Sequence, residues 1–426
     1  MGKLRYIFNI IIVSLLVSCS NNVNDNSTKN STTTNSSEKT SEGISNINII
    51  SGSLLNNNEQ LVKWNGRYEF KVGDRVKPTM MYLYHTATGF TVDFYGTSLE
   101  VEFYHYYNES KNYDIYYDVA IDDETLPNPL NRRFCLSKEN IYQKVTLAAG
   151  LEEGHHTVTC LKMSETFDGY TAIKSLKTEG NFYYRKGLDE DKLKFMFVCA
   201  SSGSGHGSLA YTLNSSTKPR TTANSSSLHS FMHLTARRFD SDFQFVSTSG
   251  WGIRYPESKQ ISEVLDYSGI TISNNIEGSK STALWDYNNF IPDIIMFHIG
   301  GNDTKQSNFD LIKYQTKAVE MIEKLHLYYP FAKMVFIHTS TKSGSYAMSA
   351  FKEAGIIRKN YLIEAIIPKI GEGETGKNTY GANDHPSFKT HLDSGKILTE
   401  TISNKWGYTP TVEDIKFEQF ENILDR

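Results

Sequence analysis

An apolar run that ends in a glycine turn is the feature that most constrains how this chain folds. Residues 294–297 read Ile-Ile-Met-Phe, and residues 300–303 then read Gly-Gly-Asn-Asp. An uninterrupted apolar run of this kind is typical of a strand that is buried on both faces of a parallel sheet. The turn that follows would present polar side chains at the edge of that sheet, and the amide of Asn302 is one of them.

From about residue 190 the pattern alternates between strands and helices. Strands are predicted over residues 193–198, 243–247, 293–299 and 333–338. Helices are predicted over residues 226–238, 309–329, 345–359 and 388–405. This alternation predicts a parallel sheet that is covered by helices on both faces. In such sheets, ligand sites form beyond the carboxyl ends of the strands.

Residues 44–185 show a different pattern, in which short alternating runs are separated by turns. Period two is clear over residues 91–96, 99–103 and 113–121. Many strands at short spacing predict an antiparallel β-sandwich. A sandwich could bind sugar, but we favour the interpretation that it forms one wall of the second domain's cleft. Glu165 is accordingly expected to be a surface or turn residue.

The first 43 residues predict export and a tether. Lys3 and Arg5 precede a mostly apolar run, and residues 16–19 read Leu-Val-Ser-Cys, which resembles a bacterial lipobox. We expect residues 1–18 to be a signal peptide and Cys19 to be the lipidated N-terminus of an extracytoplasmic, membrane-anchored bacterial lipoprotein. The alternatives are a plain signal peptide or a membrane span, for which the run is short. Residues 19–43 are nearly all polar and should form a disordered tether.

Length, charge and cysteine spacing exclude several classes of protein. A chain of 426 residues is long for one core, so two domains are expected. The net charge of −4 does not indicate a nucleic-acid partner. After Cys19, the cysteines Cys135, Cys160 and Cys199 do not form a metal-binding pattern. Whether Cys135 and Cys160 form a disulfide is left open.

Small residues follow three of the predicted strands, over residues 199–207, 248–252 and 300–303. Glycine lets the backbone turn closely around a ligand. Near the end of the chain, residues 384–387 read Asp-His-Pro-Ser, which places a histidine in a turn before a helix. A serine, a glycine N–H and an asparagine amide that converge with this histidine would supply a nucleophile, two oxyanion donors and a base. Asp303 is expected to be structural, by bonding its own turn.

The order of these segments resembles the SGNH hydrolases, and the preceding sandwich makes the chain similar to carbohydrate esterase family 2. The similarity extends from about Trp64 to the end of the chain. In the first domain it depends on residues 96–99, 119–122 and 154–157. In the second it depends on residues 199–201, 205–207, 249–250, 300–303 and 385–387. The resemblance implies a jelly-roll sandwich over residues 44–185, followed by a flavodoxin-like, three-layer α/β/α hydrolase domain over residues 190–426.

The resemblance also implies an activity, namely that of a serine esterase that removes O-acetyl groups from an acetylxylan or glucomannan type of polysaccharide. It implies no metal and no cofactor. Ser201 would attack the ester carbonyl, and His385 would take its proton and pass it to the departing sugar hydroxyl. The N–H groups of Ser201 and Gly250 and the side chain of Asn302 would stabilise the oxyanion. Trp251 and Trp285 either stack on sugar rings or belong to the cleft wall or core.

Two positions depart from the family pattern. Cys199-Ala200 replaces the Gly-Asp that precedes the nucleophile, which removes a supporting hydrogen bond. The family usually has an acid two or three residues before the histidine, where this chain has Asn383 and Ala382. Either Asn383, a backbone carbonyl, or Asp384 in an irregular turn would then orient His385. An oriented serine–histidine pair remains workable, because the acid positions the imidazole rather than taking its proton.

Two other functions remain open on the sequence alone. A non-catalytic carbohydrate-binding lipoprotein on the same scaffold is the main alternative, and Ala200 and Asn383 are the features in its favour. A lipase or phospholipase of the same superfamily is less favoured, because the leading sandwich fits the sugar esterases better. The expected partners are an acetylated polysaccharide or oligosaccharide, and a membrane through the lipid on Cys19.

Overall fold

Two antiparallel sheets and one parallel sheet make up most of the regular structure. The computed structural model describes residues 45–48, 61–74, 78–107, 113–130, 132–183, 191–214, 218–273, 276–279 and 282–425. The predicted signal segment, the tether and Cys19 lie outside these residues. All described residues belong to one compact unit. Within them, no helix is both long enough and apolar enough to cross a membrane.

The antiparallel sheets are built from the strands that precede residue 184. These are β1 Asn46–Asn48, β2 Val62–Asn65, β3 Tyr68–Lys71, β4 Met80–Leu83, β5 Gly89–Gly96, β6 Leu99–Tyr107, β7 Ile115–Ile121, β8 Arg133–Leu136, β9 Tyr142–Ala148, β10 Gly154–Lys162, β11 Gly169–Thr178 and β12 Asn181–Tyr183. One sheet has the order β3-β4-β11-β6-β9, with β1 on β11. The other has the order β12-β5-β10-β7-β8, with β2 on β5.

Alternating side chains of these strands form the core between the two sheets. Val92 and Phe94 of β5 are buried there with Val158 and Cys160 of β10, so the predicted antiparallel arrangement is confirmed. Cys135 lies on β8, and strand β7 separates it from Cys160 on β10. Two strand spacings amount to roughly 9–10 Å, which is too far for a disulfide. Both thiols are free, so the disulfide left open by the sequence does not form.

The parallel sheet and its helices follow. The strands are β13 Lys194–Cys199, β14 Asp242–Ser247, β17 Ile294–His298, β18 Lys333–His338 and β19 Leu362–Ile366. A small antiparallel pair, β15 Thr271–Ser273 and β16 Ile276–Ser279, lies between β14 and β17 in the chain. The helices are α1 Phe231–Arg238, α2 Ile261–Val264, α3 Leu311–Tyr328, α4 Lys342–Glu353 and α5 Phe388–Trp406. The sheet order is β14-β13-β17-β18-β19, which is the 2-1-3-4-5 order of flavodoxin-like sheets.

Helices cover both faces of this parallel sheet. On β13, Met196 and Val198 belong to the apolar cluster that contains residues of α3 and α4. Phe195 and Phe197 belong to the cluster that contains residues of α1 and α5. Since successive side chains of a strand point to opposite faces, the helices form a layer on each side. The predicted α/β arrangement is confirmed.

Several predicted element boundaries differ from those observed. The helix predicted over residues 226–238 is a 3-10 turn, Ser227–His229, followed by α1, because Ser230 has an extended backbone. The helix predicted over residues 345–359 ends at Glu353, shortly before Gly355, whose φ is +72°. Strand β19 was not predicted from the sequence. It lies at the edge of the sheet and is only partly buried, so it lacks the continuous apolar run of a central strand.

Candidate active site

The carboxyl ends of three neighbouring strands bring the predicted segments to one edge of the parallel sheet. Strand β13 pairs with β14 and β17, and the final residues of the three strands are aligned: Cys199, Ser247 and His298. Ser201, Gly250 and Asn302 each follow one of these strand ends. The edge between β13 and β17 is the switch point of a 2-1-3-4-5 sheet, where such folds bind ligands.

Ser201 lies in the turn that follows β13, and it is half-buried. The N–H of Ala200 donates to the carbonyl of His298 on the neighbouring strand, at 3.2 Å. The carbonyl of Ser201 accepts from the N–H of His206, at 3.1 Å. Nearby Ser204 is buried, and its hydroxyl donates to the carbonyl of Ala200, at 3.0 Å. Ser204 is therefore already engaged, whereas Ser201 lies where a ligand could approach.

His385 lies in a second turn, between a 3-10 turn, Ala382–Asp384, and the start of α5. This turn contacts the one that contains Ser201, because the N–H of Ala382 donates to the carbonyl of Gly207, at 3.0 Å. A Cβ added to Gly207 would lie 2.6 Å from the Cβ of Ala382, so only glycine permits this approach. The serine turn and the histidine turn are thus adjacent in the fold.

A main-chain carbonyl orients the imidazole of His385. Its Nδ1 donates to the carbonyl of Asn383, at 2.7 Å, which leaves Nε2 as the nitrogen that can accept a proton. Asn383 and Asp384 both have left-handed backbones, with φ of 50° and 52°. Burial and the neighbouring His206 lower the pKa of His385 to about 4, which favours the neutral ring. Of the three alternatives left by the sequence, this geometry supports the backbone carbonyl.

The two other predicted oxyanion donors lie beside each other. Gly250 is exposed and has a φ of +79°, and no atom lies within 4 Å of where its Cβ would be. The side-chain nitrogen of Asn302 donates to the carbonyl of Trp251, at 2.8 Å, so the amide is held against the turn that contains Gly250. An amide nitrogen carries two hydrogens, and the second can serve a bound oxyanion.

Asp303 is structural, but its main partners lie outside its own turn. Its buried carboxylate accepts from the backbone N–H groups of Ile253, Arg254 and Tyr255, at 3.0, 2.8 and 2.8 Å. Burial raises the pKa of Asp303 to about 6. The carboxylate therefore fixes the loop that continues from Gly250.

The sequence interpretation missed a group that comes from the sandwich. Glu165 was expected to be a surface or turn residue. It lies in a turn, but it is buried there, with only 1% of its surface exposed. It accepts from Nδ1 of His206, at 2.9 Å, and from the N–H of Ser249, at 2.9 Å. The ring of His206 lies 4.4 Å from that of His385, measured between centroids. The available signal was the charged series Lys162, Glu165 and Asp168, in which Lys162 ends β10 and the two acids follow it.

Trp251 and Trp285 are buried, with exposures of 4% and 5%. Trp251 belongs to the apolar cluster beneath α3 and α4. Trp285 packs edge-on against Tyr68, with ring centroids 5.7 Å apart, and the guanidinium of Arg67 lies 5.2 Å from its centroid. The geometry supports their interpretation as core residues, because neither ring offers a free face to a sugar.

Two further features of the described residues bear on the site. No group of three or more His, Cys, Asp or Glu side chains in that part of the chain is arranged to hold a metal ion. A cavity of about 510 Å³ lies at the opposite, amino edge of the parallel sheet, where Lys194 and Asp242 are among its lining residues. Lys63 donates to Asp242 there, at 2.8 Å. This cavity is separate from the edge that contains Ser201.

Comparison with known structures relates this fold to carbohydrate esterases. One similar structure is a family two carbohydrate esterase from Clostridium thermocellum in complex with cellohexaose, with a TM-score of 0.66 and 21% identity, covering 82% of this chain and 99% of that one. Another is the acetyl xylan esterase Est2A from the rumen bacterium Butyrivibrio proteoclasticus, with a TM-score of 0.66 and 16% identity, covering 85% of this chain and 98% of that one.

Sequence comparison points to the same family. Residues 65–183 match the family model described as carbohydrate esterase 2 N-terminal. The chain is also 24% identical over 375 residues to the cellulase/esterase CelE of Acetivibrio thermocellus, covering 82% of this chain and 40% of that protein. The chain thus spans two fifths of the length of this curated relative. The resemblance to carbohydrate esterase family 2 is confirmed.

Proposed function

We propose that this protein is a carbohydrate esterase that removes acetyl groups from polysaccharide, with Ser201 as the nucleophile and His385 as the base. The observation that carries the proposal is the contact between the turns that contain these two residues, in which Ala382 bonds to Gly207 at 3.0 Å. The bond from Nδ1 of His385 to the carbonyl of Asn383 supports it, because it leaves Nε2 free to act as the base.

The reaction would proceed through an acyl-enzyme. Nε2 of His385 takes the hydroxyl proton of Ser201 as Oγ attacks the acetyl carbonyl. The N–H groups of Ser201 and Gly250 and the amide of Asn302 donate to the oxyanion that forms. When the tetrahedral intermediate collapses, the C–O bond to the sugar breaks, and the sugar oxygen takes the proton from His385. Water, deprotonated in turn by His385, then attacks the acyl group. The bond between the acyl carbon and Oγ of Ser201 breaks, and His385 returns the proton to Oγ as acetate leaves.

The related proteins support a proposal for the substrate class. One similar structure is an acetyl xylan esterase and another is in complex with cellohexaose. We therefore infer that the substrate is an acetylated, xylan- or glucomannan-type glycan.

We also infer that residues 44–185 form a jelly-roll domain and residues 190–426 the hydrolase domain. Residues 1–43 would export the protein and attach it to a membrane through Cys19.

The test is acetate release from acetylated xylan and from 4-nitrophenyl acetate. We expect wild type to release acetate, and we expect Ser201→Ala to lower kcat by at least about 1,000-fold, because no other hydroxyl replaces the nucleophile. Ser202→Ala is the matched control, since the neighbouring serine is also half-buried, and it should retain the wild-type rate. Acetate release that survives Ser201→Ala, or that wild type lacks, would contradict the proposal.

The non-catalytic alternative makes a different prediction in the same assay. It requires glycan binding without turnover, and binding that Ser201→Ala leaves unchanged. One of the features in its favour was the missing acid at Asn383. Since the carbonyl of that residue accepts from His385, the absence of the acid does not leave the imidazole without an orienting partner.

A further inference from the structure

We propose that Glu165, a residue of the sandwich, is a positioning residue for the reaction of Ser201 and His385. Its carboxylate holds both the histidine that packs against His385 and the turn that carries Gly250. The inference rests on the proposed function, and it assigns to the sandwich a direct part in organising the site on the parallel sheet.

Three donors converge on the carboxylate of Glu165. Nδ1 of His206 donates to Oε1, at 2.9 Å. The N–H of Ser249 donates to Oε2 at 2.9 Å, and its hydroxyl lies 2.7 Å from the same oxygen. Burial raises the pKa of Glu165, whereas Arg220 and the bonds from Ser249 oppose that shift by stabilising the carboxylate. Ser249 directly precedes Gly250, so the same bonds fix the position of a proposed oxyanion donor.

His206 connects Glu165 to the proposed base. The ring of His206 contacts those of Phe167 and His385, with centroid distances of 6.1 and 4.4 Å. The backbone N–H of His206 donates to the carbonyl of Ser201, at 3.1 Å. A change in the position of His206 would therefore be transmitted to both members of the proposed pair.

Two buried cations lie near this group. Arg220 lies 3.7 Å from Glu165 and also pairs with Asp168. Burial lowers the pKa of Lys162 to about 7, and the charges of Asp168 and Glu165 oppose that shift.

Other ionisable groups act on His385 or respond to it. Burial and the neighbouring His206 lower the pKa of His385, and the charge of Glu165 raises it. Burial lowers the pKa of His298 and of His391, and His385 contributes to both shifts. When Glu165 is ionised, its charge favours the imidazolium that forms during acyl transfer.

The substitution Glu165→Gln keeps the shape and removes the charge. A glutamine has one acceptor oxygen and one NH₂ group. Its NH₂ group would face at least one of the three donors, and two donors cannot bond to each other. We expect kcat for acetate release to fall by about 10- to 100-fold, because small displacements of reacting groups have effects of that size. KM should stay close to that of wild type, because Glu165 is buried and acts through His206 and Ser249.

A matched control is Glu69→Gln, which changes another buried carboxylate of the sandwich. Glu69 accepts from Ala283, at 3.0 Å, and from the hydroxyl of Tyr84, at 2.5 Å, so it also joins the sandwich to the later part of the chain. Loss of either carboxylate should lower the melting temperature, but only Glu165→Gln should lower kcat. Equal kcat in the two variants, or a change in KM alone, would overturn the proposal.

A second measurement does not depend on turnover. The imidazole ¹⁵N shifts of His385 can be compared by NMR at neutral pH in wild type, Glu165→Gln and Glu69→Gln. Displacement of the His206 ring, which contacts that of His385, should change these shifts in Glu165→Gln and not in Glu69→Gln. Unchanged shifts in Glu165→Gln overturn the inference whether or not acetate is released, whereas absence of acetate release in wild type contradicts only the proposed function.

If Glu165→Gln does not fold, His206→Gln decides the question. The amide of the introduced glutamine can still donate to Glu165, but glutamine lacks the ring that packs against His385. We expect a loss of kcat with KM unchanged. Wild-type kcat in this variant would overturn the proposal.

Discussion

At the scale of single residues, the proposed chemistry depends on main-chain groups as much as on side chains. Asn383 uses its carbonyl, not a carboxylate, to orient His385. Aiming that carbonyl requires two successive left-handed residues, Asn383 and Asp384. Asn and Asp tolerate this conformation better than other residues with a side chain. The identity of these two residues is therefore explained by the turn they form.

Asn302→Ala is a residue-scale prediction. It removes the one side chain among the three proposed oxyanion donors and also the bond to the carbonyl of Trp251. We expect kcat for acetate release to fall by about 100- to 1,000-fold, the usual effect of losing one such donor. Asn308→Ala, an exposed amide on the same loop, is the control and should leave kcat unchanged. Similar kcat values for the two variants would remove Asn302 from the mechanism.

At the scale of elements, the site is formed by turns that follow regular strands and precede regular helices. The Ser201 turn follows β13, and the His385 turn precedes α5, where the side chain of Ser387 accepts from the N–H of Thr390. These elements fix the ends of both turns. The turns contact each other at Gly207, whose φ is +63°.

Gly207→Ala is the corresponding element-scale prediction. The added Cβ would meet Ala382 at 2.6 Å, so the two turns would have to separate. Gly150→Ala is a matched control, because Gly150 has a similar φ of +66° but nothing within 4 Å. We expect the control to lose about 1–2 kcal/mol of stability from backbone strain alone, with full activity.

Gly207→Ala should lose more stability than this control, and it should also lose acetate release at temperatures well below its melting point. Thermal unfolding and the acetate assay measure the two effects. Full activity in Gly207→Ala would show that the contact between the turns does not position Ser201 and His385.

Contacts between the predicted elements were less predictable than the elements themselves. The buried strands of the parallel sheet were predicted because their apolar runs are continuous, and α3 and α5 because their periodicity is strong. The bond between Glu165 and His206 joins residues 41 positions apart, in segments that follow strands of different sheets, and nothing local in the sequence specifies it. The role of Asn383 depends on backbone angles that Asn permits but does not require.

At the scale of the whole molecule, the sandwich and the parallel sheet are joined by buried polar contacts. Arg67 of the sandwich is fully buried, and it donates to the carbonyls of Leu265 and Tyr267, at 2.7 and 2.8 Å. Glu165 makes a second such connection, to Ser249. The sandwich therefore supports the proposed site, and it does so through two buried charged side chains, those of Arg67 and Glu165.

The central claim is that His385 activates the hydroxyl of Ser201. The most direct measurement is the reaction of the folded protein with a serine-reactive fluorophosphonate, followed by mass spectrometry of the labelled peptide. We expect a single adduct on Ser201, which should form much more slowly in His385→Ala. An adduct on Ser202 or Ser249, or an equal rate of labelling in His385→Ala, would contradict it.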